Sequence, residues 1–187
     1  MRFLLITCAV FALAACNKSP QPAANQNVPL ASEEGGKGLD RSHRGQPFPD
    51  VQFTDPDGTL TSYAGLKGVP TLVNLWATWC IPCIKELPTL EKLGKEKKAD
   101  LWVVPINQDM APEASVDAFL KLHKLDIPEY RDPKMKVATA LGAEVLPTSI
   151  LFDSNGKEVW RYVGDLDWTS PEAAKLLSEA GAASKQG

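Results

Sequence analysis

Cys80 and Cys83, three residues apart, are the side chains of this sequence best placed to do chemistry. Trp79-Cys80-Ile81-Pro82-Cys83 lies between an apolar run of strand length and a segment with helical spacing. That puts Cys80 at a helix N-terminus, where unpaired backbone N–H groups and the helix dipole favour a thiolate. Thiolates in Cys-x-x-Cys positions have depressed pKa values, and the thiolate is the nucleophile. Cys83 falls one turn deeper on the same face, within reach of a mixed disulfide formed at Cys80. The spacing supports attack, mixed-disulfide formation and resolution. A structural zinc site needs four ligands, and no second pair exists; His43 and His123 are far apart in sequence. A purely structural bond between such close neighbours would contribute little. Copper(I) binding by the same two soft thiolates stays open as an alternative.

The other two cysteines belong to a different part of the chain. Residues 1–16 read MRFLLITCAVFALAAC: one positive residue, a short apolar run, then small residues. The run is too short to span a bilayer and has the layout of a secretory signal. Leu13-Ala14-Ala15-Cys16 resembles the lipobox of bacterial lipoproteins. That resemblance implies a signal peptide over 1–15, loss of Cys8 with it, and lipidation of Cys16. Residues 17–44 are rich in Asn, Gln, Pro, Gly and Ser, so 16–44 is expected to be a lipidated, flexible tether. A single folded domain is expected over 45–182, and a frayed tail over 183–187.

The remaining length must position the cysteine pair. The chain has 187 residues, 44% hydrophobic and 23% charged, which suits one globular domain with attachments. A net charge of −3 argues against nucleic-acid binding. Asp57-Gly58 suggests a hairpin between Val51–Phe53 and Thr59–Thr61. Val69–Trp76 reads as a strand covered on both faces, and Ile81–Lys98 as a helix with Pro88 kinking it. Leu101–Asn107 is a second buried strand. Pro112–Leu125 and Pro133–Leu141 read as helices. Thr148–Asp153 and Lys157–Val163 flank Ser154-Asn155-Gly156 as a hairpin, and a last helix covers Ser170–Ala180. The first half is β-α-β, the end a hairpin plus helix. The expected fold is α/β, with a mixed central sheet, helices on both faces and an N-terminal β-hairpin extension. His123 is expected to be half-buried and structural.

NLWATWCIPCIKELP, with LPTSILFD downstream, resembles the thioredoxin superfamily, and within it the membrane-attached TlpA/ResA/DsbE-like thiol–disulfide oxidoreductases. The entry segment Gly45–Asp50 and the stretch Gly164-Asp165-Leu166-Asp167-Trp168 resemble the same branch, the latter TlpA above all. The resemblance implies a thioredoxin-like fold, a redox-active Cys80–Cys83 disulfide and no other cofactor. It implies a cis-proline at Pro147 that faces the pair and helps bind client backbone. It also implies an acidic residue near the site at Glu86, where a carboxylate can shuttle a thiol proton. Trp79, Pro82 and Leu146 are assigned to client contact beside Pro147, and Trp76 to the core. One departure stands out: thioredoxin's buried aspartate six residues before the first cysteine is Asn74 here, and an amide cannot take up a proton in the same way.

The expectation is an enzyme of the bacterial envelope, lipid-anchored, facing the periplasm and monomeric. By resemblance it reduces protein disulfides in cytochrome c maturation or cytochrome oxidase copper-site assembly. It draws electrons from an upstream membrane donor. The alternatives are a copper(I) chaperone and a thiol peroxidase, the latter because Gly45–Asp50 also resembles peroxiredoxins.

Overall fold

The computed structural model describes residues 38–66, 68–97 and 99–183. The expected signal peptide, Cys16 and the first part of the tether lie outside the described residues, as do 184–187. In chain order the elements are β1 (Gly38–Asp40), β2 (Gln52–Thr54), β3 (Leu60–Ser62), β4 (Thr71–Trp76), α1 (Ile81–Lys97), β5 (Trp102–Asn107), α2 (Glu113–His123), β6 (Tyr130–Arg131), α3 (Lys136–Leu141), β7 (Thr148–Phe152), β8 (Glu158–Val163) and α4 (Pro171–Ala183). The strands form one mixed sheet in the order β1-β8-β7-β4-β5-β6-β2-β3.

Strand β4 is the axis of the sheet, and all six of its residues are buried. It runs parallel to β5 and antiparallel to β7. The β4-α1-β5 crossover is the β-α-β unit that the apolar runs foretold. Alternate β4 side chains serve opposite faces, as the pleat requires. Leu72 and Trp76 join Leu87, Leu90 and Leu93 of α1, Val116 and Leu120 of α2, and Ala173 and Leu176 of α4. Val73 and Leu75 join Val137 and Leu141 of α3 and Phe53 of the first hairpin. Helices therefore cover both faces, and α1 continues past Pro88. The first hairpin, β2–β3, joins the main sheet through the single pair Thr54–Arg131.

The expected turn at Asn155-Gly156 is present. Gly156 has φ +74°, and a Cβ there would lie 2.7 Å from the Tyr63 ring, so both backbone and space demand glycine. Tyr63 in turn stacks on Phe48, with centroids 4.4 Å apart.

Three expectations need correction. Residues 38–44, expected in the tether, take part in the fold: β1 pairs antiparallel with β8, and Arg41 and Arg44 both reach Glu179 of α4. Composition suggested a tether because backbone pairing at a sheet edge needs no apolar side chains. Helix α4 reaches Ala183, taking in the first residue of the expected tail. His123 is exposed rather than half-buried, its ring 4.3 Å from that of Phe119. It occupies the last turn of α2, where the stripe has already left the core. Strand β6, two residues long, was not anticipated because it is too short to show a period.

Candidate active site

The C-terminal ends of β4 and β5 and the start of β7 lie at the same end of the sheet. Chain leaving β4 there passes through Ala77-Thr78-Trp79 and turns into α1. Asp109, buried just after β5, holds that turn. Its carboxylate accepts the Thr78 N–H at 2.8 Å and the Thr78 hydroxyl at 3.0 Å. The Asn107 amide donates to the same group at 2.7 Å. Neither Thr78, Asn107 nor Asp109 stood out in the sequence, since a buried aspartate carries no local pattern.

Helix α1 starts at Ile81, which makes Cys80 its N-cap. The Cys83 N–H donates to Cys80 Sγ at 3.3 Å, the bond that a serine or aspartate oxygen makes at other helix starts. Pro82, in the first turn, gives up a donor that no helical carbonyl would have used. Cys80 and Cys83 are joined as a disulfide. Cys80 is 5% exposed and Cys83 fully buried, so Cys80 is the sulfur that a partner can approach.

The Leu146–Pro147 peptide is cis, as expected. The Pro147 carbonyl accepts the Gly164 N–H at 2.9 Å, and Thr148 Oγ1 donates to the Val145 carbonyl at 2.6 Å. Leu146 packs on both cores. Trp79 is 67% exposed, Pro82 is exposed, and Trp76 is buried at 1%. Ile81 at the start of α1 and Met110 and Val145 in the loops are also exposed. An apolar rim thus surrounds the disulfide.

Glu86 lies one turn after Cys83 on α1 and is 2% exposed. Three donors meet its carboxylate. Asn74 Nδ2 lies 2.7 Å from Oε1, and the Leu166 N–H and Trp168 Nε1 each lie 3.2 Å from Oε2. Burial pushes its pKa from the usual 4.5 up to about 7, and these hydrogen bonds hold it from going higher. Lys85 pairs with Asp165 at 2.9 Å, and Trp168 N–H donates to Thr89 Oγ1 at 3.1 Å. The 164–168 loop is therefore fastened to α1 at three successive points. Asn74, expected only as a missing proton acceptor, is a direct partner of Glu86.

The Redoxin family model matches residues 43–177. The chain belongs to the Redoxin family. Its thioredoxin-like fold is the one expected from the resemblance. This Redoxin chain is 33% identical over 122 residues to the thiol-disulfide oxidoreductase ResA of Bacillus cereus, covering 65% of this chain and 70% of that relative. It is 37% identical over 145 residues to the thiol:disulfide interchange protein DsbE of Pseudomonas fluorescens, covering 73% and 79% respectively. A crystal structure of an exposed lipoprotein thioredoxin from Streptococcus pneumoniae superimposes with a TM-score of 0.60 at 25% identity, over 70% of this chain and 99% of that one. Among the described residues no helix is long and apolar enough to cross a membrane.

Proposed function

We propose that this protein is an envelope thiol–disulfide oxidoreductase that reduces disulfides in client proteins. The observation that carries the reading is the cysteine pair at the start of α1, with the more accessible sulfur capping the helix. In the reduced enzyme the Cys80 thiolate attacks one client sulfur, and the other client sulfur leaves as a thiolate. Cys83 then gives up its proton to Glu86 and attacks Cys80 Sγ. The client sulfur bonded to Cys80 leaves as a thiolate and the Cys80–Cys83 bond closes. Two electrons pass to the client, and an upstream donor must return them. Leu146, Pro147, Pro82 and Trp79 offer backbone and apolar contact to an extended client segment.

The lipobox-like Leu13–Cys16 supports anchoring through Cys16, with the domain facing the periplasm. A similar solved structure is described as an exposed lipoprotein thioredoxin, which supports the same reading. Similarity to a thiol-disulfide oxidoreductase and a thiol:disulfide interchange protein supports disulfide-bearing client proteins; clients in cytochrome c maturation or cytochrome oxidase copper-site assembly follow from the sequence resemblance alone.

The test is reduction of a model protein disulfide by the purified chain with dithiothreitol as electron source. Cys80→Ser should abolish turnover; a variant that keeps full activity removes the mechanism. Direction is set by the reduction potential, expected nearer the reducing end of the range of about −270 to −120 mV for known exchangers. A glutathione titration that places it above about −150 mV would overturn the assignment as a reductant.

A further inference from the structure

A buried amide links the cysteine helix to the strand that carries Pro147. Asn74 on β4 donates from Nδ2 to Glu86 Oε1 at 2.7 Å and to Ser149 Oγ at 2.9 Å. Ser149 lies directly opposite on β7, two residues after Pro147. Asn74 and Ser149 are fully buried, so water does not compete for these bonds. The other end of the amide behaves differently: Asn74 Oδ1 is buried with no hydrogen-bond partner among the described residues. A buried acceptor left unpaired is costly, which calls for an explanation.

The arrangement shown suits a charged Glu86, which receives only donors. A protonated carboxyl carries an O–H that needs an acceptor. Leu166 N–H and the Trp168 indole cannot provide one, because both are donors only. Asn74 can. A half-turn of its amide brings Oδ1 to the place where Nδ2 stands. There it can accept from Glu86, and the Ser149 hydroxyl can turn to donate to it. One amide atom is unpaired in either setting, so the turn exchanges like for like.

We propose that Asn74 is the positioning residue for Glu86: its NH2 serves the charged carboxylate and its oxygen serves the protonated one. This rests on the reading of Glu86 as the group that exchanges the Cys83 proton. It accounts for asparagine where thioredoxin has aspartate. A second carboxylate beside Glu86 would repel its charged form, whereas an amide meets both forms. The other titratable group acting on Glu86 is Asp165 on the loop, itself paired with Lys85, while Cys83 on the same helix is held in the disulfide. β4 and β7 carry no charged side chain.

The experiment follows the Glu86 carboxyl carbon by NMR in the oxidised protein from about pH 4 to 9, with glutamate labelled and the resonance assigned through Glu86→Gln. Asn74→Leu removes a charge-assisted bond from the carboxylate and a weaker neutral bond from the protonated carboxyl, so the Glu86 midpoint should rise by the difference, on the order of one pH unit. Asn74→Asp keeps the shape and should split the titration into two steps, as paired carboxyls do. A folded Asn74→Leu with its midpoint unmoved overturns the proposal. If that variant does not fold, a single unshifted step in Asn74→Asp overturns it instead. The Glu86 role fails separately: an unchanged pH profile of disulfide exchange in Glu86→Gln removes that role and leaves the Asn74 result standing.

Discussion

At the scale of single residues, this site sets a buried carboxyl against a buried sulfur. Glu86 ionises near pH 7 when folded and near 4.5 when unfolded. Between those values the folded protein holds a proton that the unfolded chain has released. Stability therefore falls as pH rises through that window and levels off above it. The gap corresponds to about 3 kcal/mol. Glu129 is also pushed up to about 7, first by burial and then by its contact with Asp117. It titrates equally in both proteins, so the comparison with Glu86→Gln isolates Glu86. Chemical denaturation of the oxidised proteins at pH 5 and pH 8 should show the wild type losing about 2.5 kcal/mol more than the variant, since part of the gap is already lost at pH 5. An equal loss would mean that Glu86 is not desolvated as described. The cysteines were legible in the sequence because spacing alone carries their chemistry. Glu86 and Pro147 were legible only by resemblance. The Asp109 clamp was not legible, because Thr78, which it holds, lies 31 residues away and meets it only when β4 and β5 align.

At the scale of elements, two contacts hold the site's surroundings in register. Arg161 of β8 forms a two-pronged pair with Glu158, both bonds 2.8 Å, and donates to the Leu141 carbonyl at the end of α3. All of this is buried, so breaking one partner leaves the other charge unmet. Glu158→Gln should cost about 3–5 kcal/mol in urea denaturation. A loss under about 1 kcal/mol would show the pair to be solvated. The β7–β8 turn is as constrained. Gly156→Ala meets both a positive φ and the Tyr63 ring, and should cost more than about 1 kcal/mol by the same measure. Strands, helices and the Asn-Gly turn were readable within a residue or two at most boundaries, because apolar periodicity reports burial directly. β1 and β6 escaped because three- and two-residue strands have no period to read.

At the scale of the whole molecule, the parallel β4–β5 pair and its antiparallel neighbour β7 bring cysteine helix and Pro147 loop to one end. That convergence follows from topology. A helical crossover returns β5 parallel to β4, and β7 arrives reversed, so its first residues meet the last ones of β4. The 164–168 loop then closes over α1 through Lys85, Glu86 and Thr89. Trp168→Phe deletes the indole donor to Glu86 and keeps most of the ring. It should lower disulfide exchange most at neutral pH, where Glu86 changes charge, and raise the Glu86 midpoint. An exchange rate lowered equally at every pH would mark the ring as packing alone.

Strand β1 has a consequence for how this protein must be handled. Its pairing with Arg161, Tyr162 and Val163 occupies the outward row of β8 backbone groups. A chain trimmed to start at Gly45, the natural choice from composition, would bare that row. Open strand edges recruit other strands, including those of identical molecules. The trimmed protein should therefore self-associate in a concentration-dependent way by light scattering, while a chain that begins before Gly38 stays monodisperse. A few residues that read as linker thus close an edge of the sheet.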